Sequence, residues 1–304
     1  MRTAFIKQLI EEAKSNDKIF LLVADLGFSV VESFAEQFRT RYLNVGVAEQ
    51  NMAGIAAGLA MEGFHVYIYS IGNFPTLRCM EQIRYDICYH NLSVTIVAVG
   101  GGYAYGPLGP SHHATEELGM LRTIPGLVVC APGDPEEAKA ITVFSSRHNG
   151  PCYIRLGKAG EPTVHLDECK DWQMGNILQV IKGKDTAILS TGATLKYAVD
   201  FVKENSLVAS VYSCPFIKPI SSEMLLTIFK AYPSIITIEE HQLHAGFGSA
   251  VLEVLHDCLT GNTLDSASIP TIRRIGIHNE FYSIAGSQEF LRAKAGIELK
   301  KEYF

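Results

Sequence analysis

The chain has 304 residues, of which 47% are hydrophobic, and it carries 26 Lys and Arg against 32 Asp and Glu, a net charge of −6. This length suits about two domains with a core each, and the apolar content excludes a disordered chain. The acidic balance, without a basic run, argues against a nucleic-acid partner, because such partners are held largely by Lys and Arg.

The apolar stretches are too short to cross a bilayer. Segments such as 94–99 fall far short of the roughly 20 residues that a spanning helix needs, so we expect no membrane partner. Residues 1–16 resemble an amphipathic helix more than a signal peptide. The seven cysteines are widely spaced and form no CxxC pair, which indicates reduced thiols. We therefore expect a cytoplasmic protein.

Strand-like runs alternate with helical segments along the chain, a pattern typical of parallel sheets flanked by helices. The first series predicts strands at 19–25, 65–70, 93–99 and 127–132, and helices at 48–62, 76–89, 114–122 and 135–148. A polar segment with Gly and Pro, 157–172, indicates a connection between domains. The second series predicts strands near 186–190, 207–212, 235–239 and 271–276, and helices near 194–205, 221–232, 247–258 and 286–295. The predicted fold class is α/β, with two consecutive α/β domains with mainly parallel sheets at 1–165 and 175–304.

Glu49 opens a helix made largely of small residues within RYLNVGVAEQNMAGIAAGLAMEG (41–63). A carboxylate at a helix N-terminus is favoured by the helix dipole, which is the simplest explanation. However, Gly54, Ala57 and Gly58 would allow another backbone to approach closely, which favours an interface that contains a functional acid. These residues alone leave both interpretations open.

The Gly-rich loop VGGGYAYGPLGPSHHA (99–114) follows a buried strand at its carboxyl end, where open α/β sheets bind their ligands. It lacks the GxGxxG spacing of a dinucleotide site. Adjacent histidines project in different directions, so His112 and His113 predict no metal site, and one of them facing a substrate is more plausible. His241 and His244 lack an evident third ligand. We therefore predict no metal site on this chain.

Taken in order, these segments resemble the C-terminal part of the transketolase family, which includes 1-deoxyxylulose 5-phosphate synthase. The resemblance is carried by ADL, GVAEQ, YSIGNFPTLRCMEQIRYD, GPSHH, LRTIPG, YIRLGK, IEEH and GFGSAVLEVL, and it covers nearly the whole chain. It implies a pyrimidine-binding domain followed by the C-terminal domain of the family.

The family's diphosphate-binding GDG motif is missing, since Gly133 and Asp134 are followed by Pro135 at a helix start. The resemblance therefore implies one subunit of a split transketolase. A separate N-terminal subunit would hold Mg²⁺ and the diphosphate of thiamine diphosphate. Two copies of each chain, α2β2, would place the cofactor between unlike subunits.

The resemblance also implies roles for individual residues. It implies that Glu49 hydrogen-bonds to the aminopyrimidine ring of thiamine diphosphate and that His112 contacts the oxygens of a ketose. Further cofactor contacts are implied for Asp25, Tyr69, Phe74 and Arg78, and phosphate contacts are implied for Arg155 and Lys158. Leu108 replaces the family's Asp and Gly100 replaces a His, which indicates substrates other than the usual pentose phosphates.

The leading hypothesis is a transketolase-type transferase subunit that helps to move a two-carbon ketol group from a ketose to an aldehyde. Catalysis would depend on Glu49 and His112. One alternative is the β-type subunit of an enzyme that decarboxylates 2-oxo acids, which would share the two-domain layout and the acid. Another is a non-catalytic assembly subunit.

Overall fold

Two sheets, one in each half of the chain, organise the structure, a computed structural model that describes residues 1–165, 169 and 172–304. The strands of the first half are β1 (Ile19–Val23), β2 (Tyr42–Asn44), β3 (His65–Ile71), β4 (Val94–Val99), β5 (Val128–Cys130) and β6 (Cys152–Leu156). Those of the second half are β7 (Leu178–Ile181), β8 (Thr186–Ser190), β9 (Ser210–Ser213), β10 (Phe216–Lys218), β11 (Ser234–Gln242) and β12 (Thr271–Ile277). The predicted α/β fold class is confirmed.

The helices follow the predicted order with two exceptions, an unpredicted short helix at 32–37 and a segment whose helix type differs from the prediction. The α-helices are α1 (Arg2–Ser15), α2 (Glu32–Gln37), α3 (Glu49–Met61), α4 (Glu117–Arg122), α5 (Pro135–Arg147), α6 (Thr194–Glu204), α7 (Ser222–Ala231), α8 (Phe247–Thr260) and α9 (Gln288–Lys294). The segment predicted as a helix at 76–89 is instead a short 3-10 turn and the π-helix Gln82–Cys88. In the π-helix the N–H of Tyr89 donates to the carbonyl of Arg84 five residues earlier, a spacing that hydrophobic periodicity does not distinguish from an α-helix. No helix within the described ranges is long and apolar enough to cross a membrane.

The first sheet has the strand order β10-β5-β6-β4-β3-β1-β2 and is parallel apart from β10. Strand β10 comes from the second half of the chain and pairs antiparallel with β5. The sequence predicted two consecutive domains, but β5 alone would leave an unpaired strand edge in the first one, and β10 of the second covers that edge. The second half therefore completes the first sheet.

The second sheet has the order β12-β11-β8-β9-β7, with β7 antiparallel to β9 and the other pairs parallel. Side chains alternate between the two faces of each strand, which decides where each residue of β3 lies. Tyr67 and Tyr69 pack in the same apolar cluster as α1, whereas Val66 and Ile68 pack in the cluster that contains α3. The two faces of the first sheet are therefore covered by different helices.

His241, near the end of β11, connects the two halves. Its Nε2 accepts a hydrogen bond from the backbone N–H of Gly119 in α4 (3.1 Å), and its Nδ1 lies 2.8 Å from the carbonyl of Gln242. This arrangement requires the neutral imidazole, because Nε2 must accept a hydrogen bond. Burial, and secondarily the positive charge of Arg155, lowers the pKa of His241 to about 4.

This depressed pKa predicts an acid-sensitive contribution to stability. The unfolded imidazole binds a proton below about pH 6.5, whereas the folded one stays neutral down to about pH 4, so the free energy of unfolding falls as the pH drops through this window. Glu239 lies 3.8 Å from Nδ1, but burial raises its own pKa to about 7, so it becomes neutral as the pH falls.

The amide of His241→Gln can keep the hydrogen bonds to Gly119 and Gln242 but does not titrate. We therefore expect the variant to lack the acid-sensitive part of the free energy of unfolding. The stability advantage of the natural chain over the variant should shrink by up to about 3 kcal/mol between pH 7 and pH 4. Urea denaturation of both proteins across this range measures the difference. A difference that stays constant with pH would contradict the buried neutral imidazole.

Candidate functional site

The candidate site lies at the carboxyl edge of the first sheet. Strands β1, β3 and β4 run parallel, so the chain leaves all three at the same edge, after Val23, Ile71 and Val99. Helix α3 begins at Glu49, soon after the end of neighbouring β2. Open α/β sheets bind ligands at such an edge because the loops that leave the strands converge there.

Glu49 is a deeply buried acid at this edge, with only 1% of its surface exposed. Its Oε1 accepts a hydrogen bond from the Ser70 hydroxyl (3.2 Å), and its Oε2 accepts one from Arg78 Nη1 (2.7 Å). Position in the first turn of α3 also favours the carboxylate, since the backbone N–H groups there carry partial positive charge. The sequence singled out Glu49 but missed Ser70.

Arg78 continues this set of contacts towards solvent. Its side chain is 46% exposed, and its guanidinium lies 4.8 Å from the centre of the Phe74 ring. The Phe74 ring in turn meets the His112 ring edge to face, with 5.4 Å between the ring centres. Glu49, Arg78, Phe74 and His112, all predicted site residues, therefore form one continuous set of contacts.

Tyr69 is not brought to this set. It is 1% exposed and stacks on Phe5 of α1, with 6.2 Å between the ring centres. The reason is strand alternation, because the next residue, Ser70, contacts Glu49 and Tyr69 must therefore point to the opposite face. The predicted cofactor contact of Tyr69 therefore conflicts with its position against α1.

Asp25 lies at the same edge, directly beyond β1, in an exposed position. Its carboxylate accepts a hydrogen bond from Asn44 Nδ2 (3.0 Å), and its own backbone N–H donates to Asn44 Oδ1 (3.0 Å). Its backbone φ is +52°, an uncommon value for a residue other than glycine. These bonds fix Asp25 beside the end of β2, one strand away from Ser70.

The Gly-rich loop explains the unusual residue at position 100. Gly100 has a φ of +86°, and a Cβ there would overlap the ring of Tyr105. A histidine at this position would require both a left-handed backbone and displacement of that ring. Leu108 is 56% exposed, so no buried environment requires its apolar side chain.

Arg155 has a structural environment that the sequence did not reveal. It is 6% exposed, its Nε lies 2.7 Å from Glu117 Oε1, and it donates to the carbonyls of Ala114 and Glu240. Burial raises the pKa of Glu117, and the charge of Arg155 opposes that effect. Its predicted contact with a substrate phosphate therefore conflicts with this buried pairing, whereas Lys158 is exposed beyond the end of β6.

A second cluster lies at the N-terminus of α5, beyond the end of β5 and separated from β3 by β6 and β4. Asp134, Glu137 and His165 bring possible metal-ligating atoms within 4.8 Å of one another. However, Asp134 accepts hydrogen bonds from the backbone N–H groups of Glu137, Val164 and His165 (2.8–2.9 Å). Burial raises the pKa of Asp134, but the His165 imidazole, whose Nδ1 lies 3.1 Å from Oδ2, and these backbone bonds together lower it to about 2. Asp134 thus ties the connecting segment to α5, which the sequence did not predict.

Comparisons with known proteins identify the family. The family model of the transketolase pyrimidine-binding domain matches residues 1–161, and that of the transketolase C-terminal domain matches residues 175–283. One of the subunits of the apulose-4-phosphate transketolase of Actinobacillus succinogenes is 31% identical, over 96% of this chain and 93% of the relative. A subunit of the 6-deoxy-6-sulfo-D-fructose transketolase of Clostridium sp. strain MSTE9 is 31% identical, over 99% and 91%.

A solved structure supports the same assignment. A split-gene transketolase, described as an inactive β4 tetramer, is 33% identical and superposes with a TM-score of 0.83, over 97% of this chain and 93% of that one. The chain therefore belongs to the transketolase family and corresponds to one subunit of a split transketolase. Membership implies dependence on thiamine diphosphate.

The buried pairing of Arg155 predicts a stability effect. Arg155→Met would leave the Glu117 carboxylate buried without its partner, so we expect the free energy of unfolding to fall by about 3–5 kcal/mol. The double variant Arg155→Met with Glu117→Gln carries no buried charge, and we expect it to recover part of this loss. Urea denaturation of the chain at pH 7 measures both. An unchanged unfolding midpoint in Arg155→Met would contradict the structural role of this pairing and would favour Arg155 as a substrate contact.

Proposed function

We propose that this chain supplies the pyrimidine-binding half of a thiamine diphosphate site in a two-chain transketolase. The enzyme transfers a two-carbon ketol group from a ketose to an aldehyde acceptor. The observation that carries the proposal is the continuous set of contacts formed by Glu49, Arg78, Phe74 and His112 at the carboxyl edge of the first sheet. This set joins a buried acid, an aromatic ring and an imidazole, each suited to a different part of the reaction.

The residues present fit the pyrimidine end of the cofactor. Glu49 offers a carboxylate shielded from water, where a hydrogen bond to a ring nitrogen is strong. The half-buried ring of Phe74 offers a face or edge for stacking. When bound, thiamine diphosphate supplies the nucleophilic carbon and the electron sink that transfer of a two-carbon unit requires.

Each side chain has a separate task in this proposal. Glu49 holds a proton at the pyrimidine nitrogen, and Ser70 and Arg78 orient its two oxygens through their hydrogen bonds. Phe74 stacks on the ring, and Asp25 borders the site beside β1. His112, half-buried at the end of its loop, donates a hydrogen bond to an oxygen of the ketose.

The diphosphate and Mg²⁺ are held by a separate subunit in this proposal. Asp134 lies in the segment that partly matches the family's diphosphate-binding motif. Its carboxylate already accepts hydrogen bonds from α5 and from the connecting segment. Gly54 and Gly58 of α3 leave open space where a Cβ would stand, so another backbone could approach this helix closely. We infer an α2β2 assembly in the cytoplasm, with the cofactor between unlike subunits.

The substrate is proposed to be a ketose with an anionic end group. The names of the two relatives indicate a phosphate in one substrate and a sulfonate in the other. Lys158, exposed beyond β6, offers a positive charge for such a group, as a point charge rather than a bidentate fork. Gly100 and Leu108 remove the side chains that the family uses for standard pentose phosphates.

The proposal predicts a shared cofactor site. We expect calorimetric titration of thiamine diphosphate with Mg²⁺ to show tight binding only when this chain is mixed with its N-terminal partner subunit, because neither chain alone holds both ends of the cofactor. A donor screen of the mixture with apulose 4-phosphate, 6-deoxy-6-sulfo-D-fructose and xylulose 5-phosphate then tests the reaction. Tight binding by this chain alone would contradict the split site.

The screen also separates the alternatives. Turnover of a 2-oxo acid such as pyruvate, but of no ketose, would favour a decarboxylating enzyme. Cofactor binding by the partner that does not change when this chain is added would favour a non-catalytic assembly subunit.

Glu49→Gln provides a direct test of the catalytic acid. Glutamine keeps the size of the side chain but cannot hold the required proton, so we expect turnover by the assembled enzyme to fall by about 10²-fold or more. Glu62→Gln, at the exposed end of the same helix, is the matched control and should retain full turnover. Equal activity in both variants would remove Glu49 from the mechanism.

A further inference from the structure

The loop that carries His112 leaves and rejoins the sheet at a narrow neck. The backbone N–H of Gly102 donates to the carbonyl of Ala114 (2.7 Å), and the N–H of Ala114 donates to the carbonyl of Gly102 (3.0 Å). Residues 103–113 therefore form a loop whose two ends are joined by this pair of backbone hydrogen bonds. The direction of the neck decides where His112 lies.

Glu240, at the end of β11 in the second half of the chain, reaches this neck. It is 3% exposed, and its Oε1 accepts a hydrogen bond from the backbone N–H of Tyr103, the first residue beyond Gly102. Gln288 Nε2 lies 3.0 Å from both carboxylate oxygens, and Arg292 is ion-paired with Oε2. The carboxylate is therefore oriented by α9 while it binds the loop.

The backbone of the neck is shaped to admit this carboxylate. Gly102 has a φ of +62°, and a Cβ built there would lie 2.5 Å from Glu240 Oε1, closer than real Cβ atoms approach. Any side chain at position 102 would push the loop and the carboxylate apart. Glycine at position 102 thus allows both the left-handed turn of the backbone and the close approach of Glu240 from the second half.

The other side of the neck is held as well. Arg155 donates to the carbonyl of Ala114 and to the backbone carbonyl of Glu240 (3.1 Å), so one guanidinium joins the end of the loop to β11. Further along the loop, the carbonyl of Gly106 accepts a hydrogen bond from the N–H of Gly286 (3.2 Å). The second half of the chain therefore binds the loop directly at Tyr103 and Gly106, and through Arg155 of β6 at Ala114.

We propose that the C-terminal domain positions His112 for its substrate, with Glu240 as the positioning residue that holds the neck of the loop. This inference rests on the role assigned to His112 under the proposed function. Glu240 itself acts through the loop backbone and touches no reacting atom. A charge-assisted hydrogen bond to a buried backbone N–H is stronger than a neutral one, which suits a group that must fix a loop.

The first test measures the loop directly in the isolated full chain, without any substrate. We expect Glu240→Ala to increase amide hydrogen exchange across residues 103–113 by tenfold or more, as measured by mass spectrometry. Glu240→Gln keeps an acceptor for the Tyr103 N–H and should give a smaller increase. Gly102→Ala, which leaves Glu240 intact but displaces it, should also increase exchange.

Glu239→Gln is the matched control. Glu239 is a buried acid one position earlier on β11, and it accepts hydrogen bonds from the backbone N–H groups of Phe247 and Gly248 at the start of α8. This variant should lose stability without faster exchange in residues 103–113. An equal increase in both variants would mean that the loop responds to general destabilisation, and it would overturn the proposal.

The second test uses the enzyme assembled with its partner subunit and the most active of the three ketoses named above. We expect Glu240→Ala to lower kcat/KM for the ketose by tenfold or more while thiamine diphosphate binding changes by less than twofold. In a chain that already carries His112→Ala, the same substitution should cause little further loss, because its effect passes through His112. Additive losses, or an unchanged kcat/KM despite faster loop exchange, would overturn the positioning role.

The two tests separate this inference from the function on which it rests. If the natural assembled enzyme turns over none of the three ketoses, the proposed function fails, and the exchange experiment still decides whether Glu240 holds the loop. Exchange that remains at the natural rate in Glu240→Ala overturns the inference even where the transketolase activity is found.

Discussion

The structure depends on a constraint at the junction of its two halves, where buried charges must be paired. Moving a charged group out of water costs several kcal/mol unless hydrogen bonds and an opposite charge compensate it. Arg155 is compensated by Glu117 and by two backbone carbonyls, and Glu240 by Arg292, Gln288 and the N–H of Tyr103. Because each group takes partners from both halves, this requirement fixes how the second half meets the Gly-rich loop.

The candidate site uses charge in a different way. Glu49 is as buried as the junction acids, but its cationic partner, Arg78, is nearly half exposed and lies over Phe74. The attraction between these two groups is screened by water, so the pair is easier to rearrange than the pair of Arg155 and Glu117. The buried pair of Arg155 and Glu117 thus stabilises the scaffold, whereas the pair of Glu49 and Arg78 extends to solvent, where a ligand would approach.

Sequence patterns predicted the α/β fold and the acid, but not the direction of individual side chains. Apolar periodicity predicted eight of the twelve strands that the structure describes and every α-helix except α2. The strands that it missed, β2, β6, β7 and β10, span only three to five residues each. Tyr69 and Ser70 are adjacent on β3 and face opposite sides of the sheet, so the sequence could not tell which one meets Glu49. Arg155 was assigned to a substrate because spacing does not reveal that Glu117, distant in sequence, lies against it. Glu239 and Glu240 look alike in the sequence, and only the fold assigns one to α8 and the other to the loop.

The departure from the family pattern at position 100 is a property of the whole loop. A left-handed glycine at 100 and the ring of Tyr105 over it occupy the space that a family histidine would need. Two positions further, the left-handed Gly102 makes room for Glu240. The loop therefore uses glycine twice for different neighbours, first for one of its own aromatic residues and then for a carboxylate of the second half. A side chain at either glycine would displace the backbone that leads to His112, so the path of the loop depends both on Tyr105 within the loop and on Glu240 of the second half.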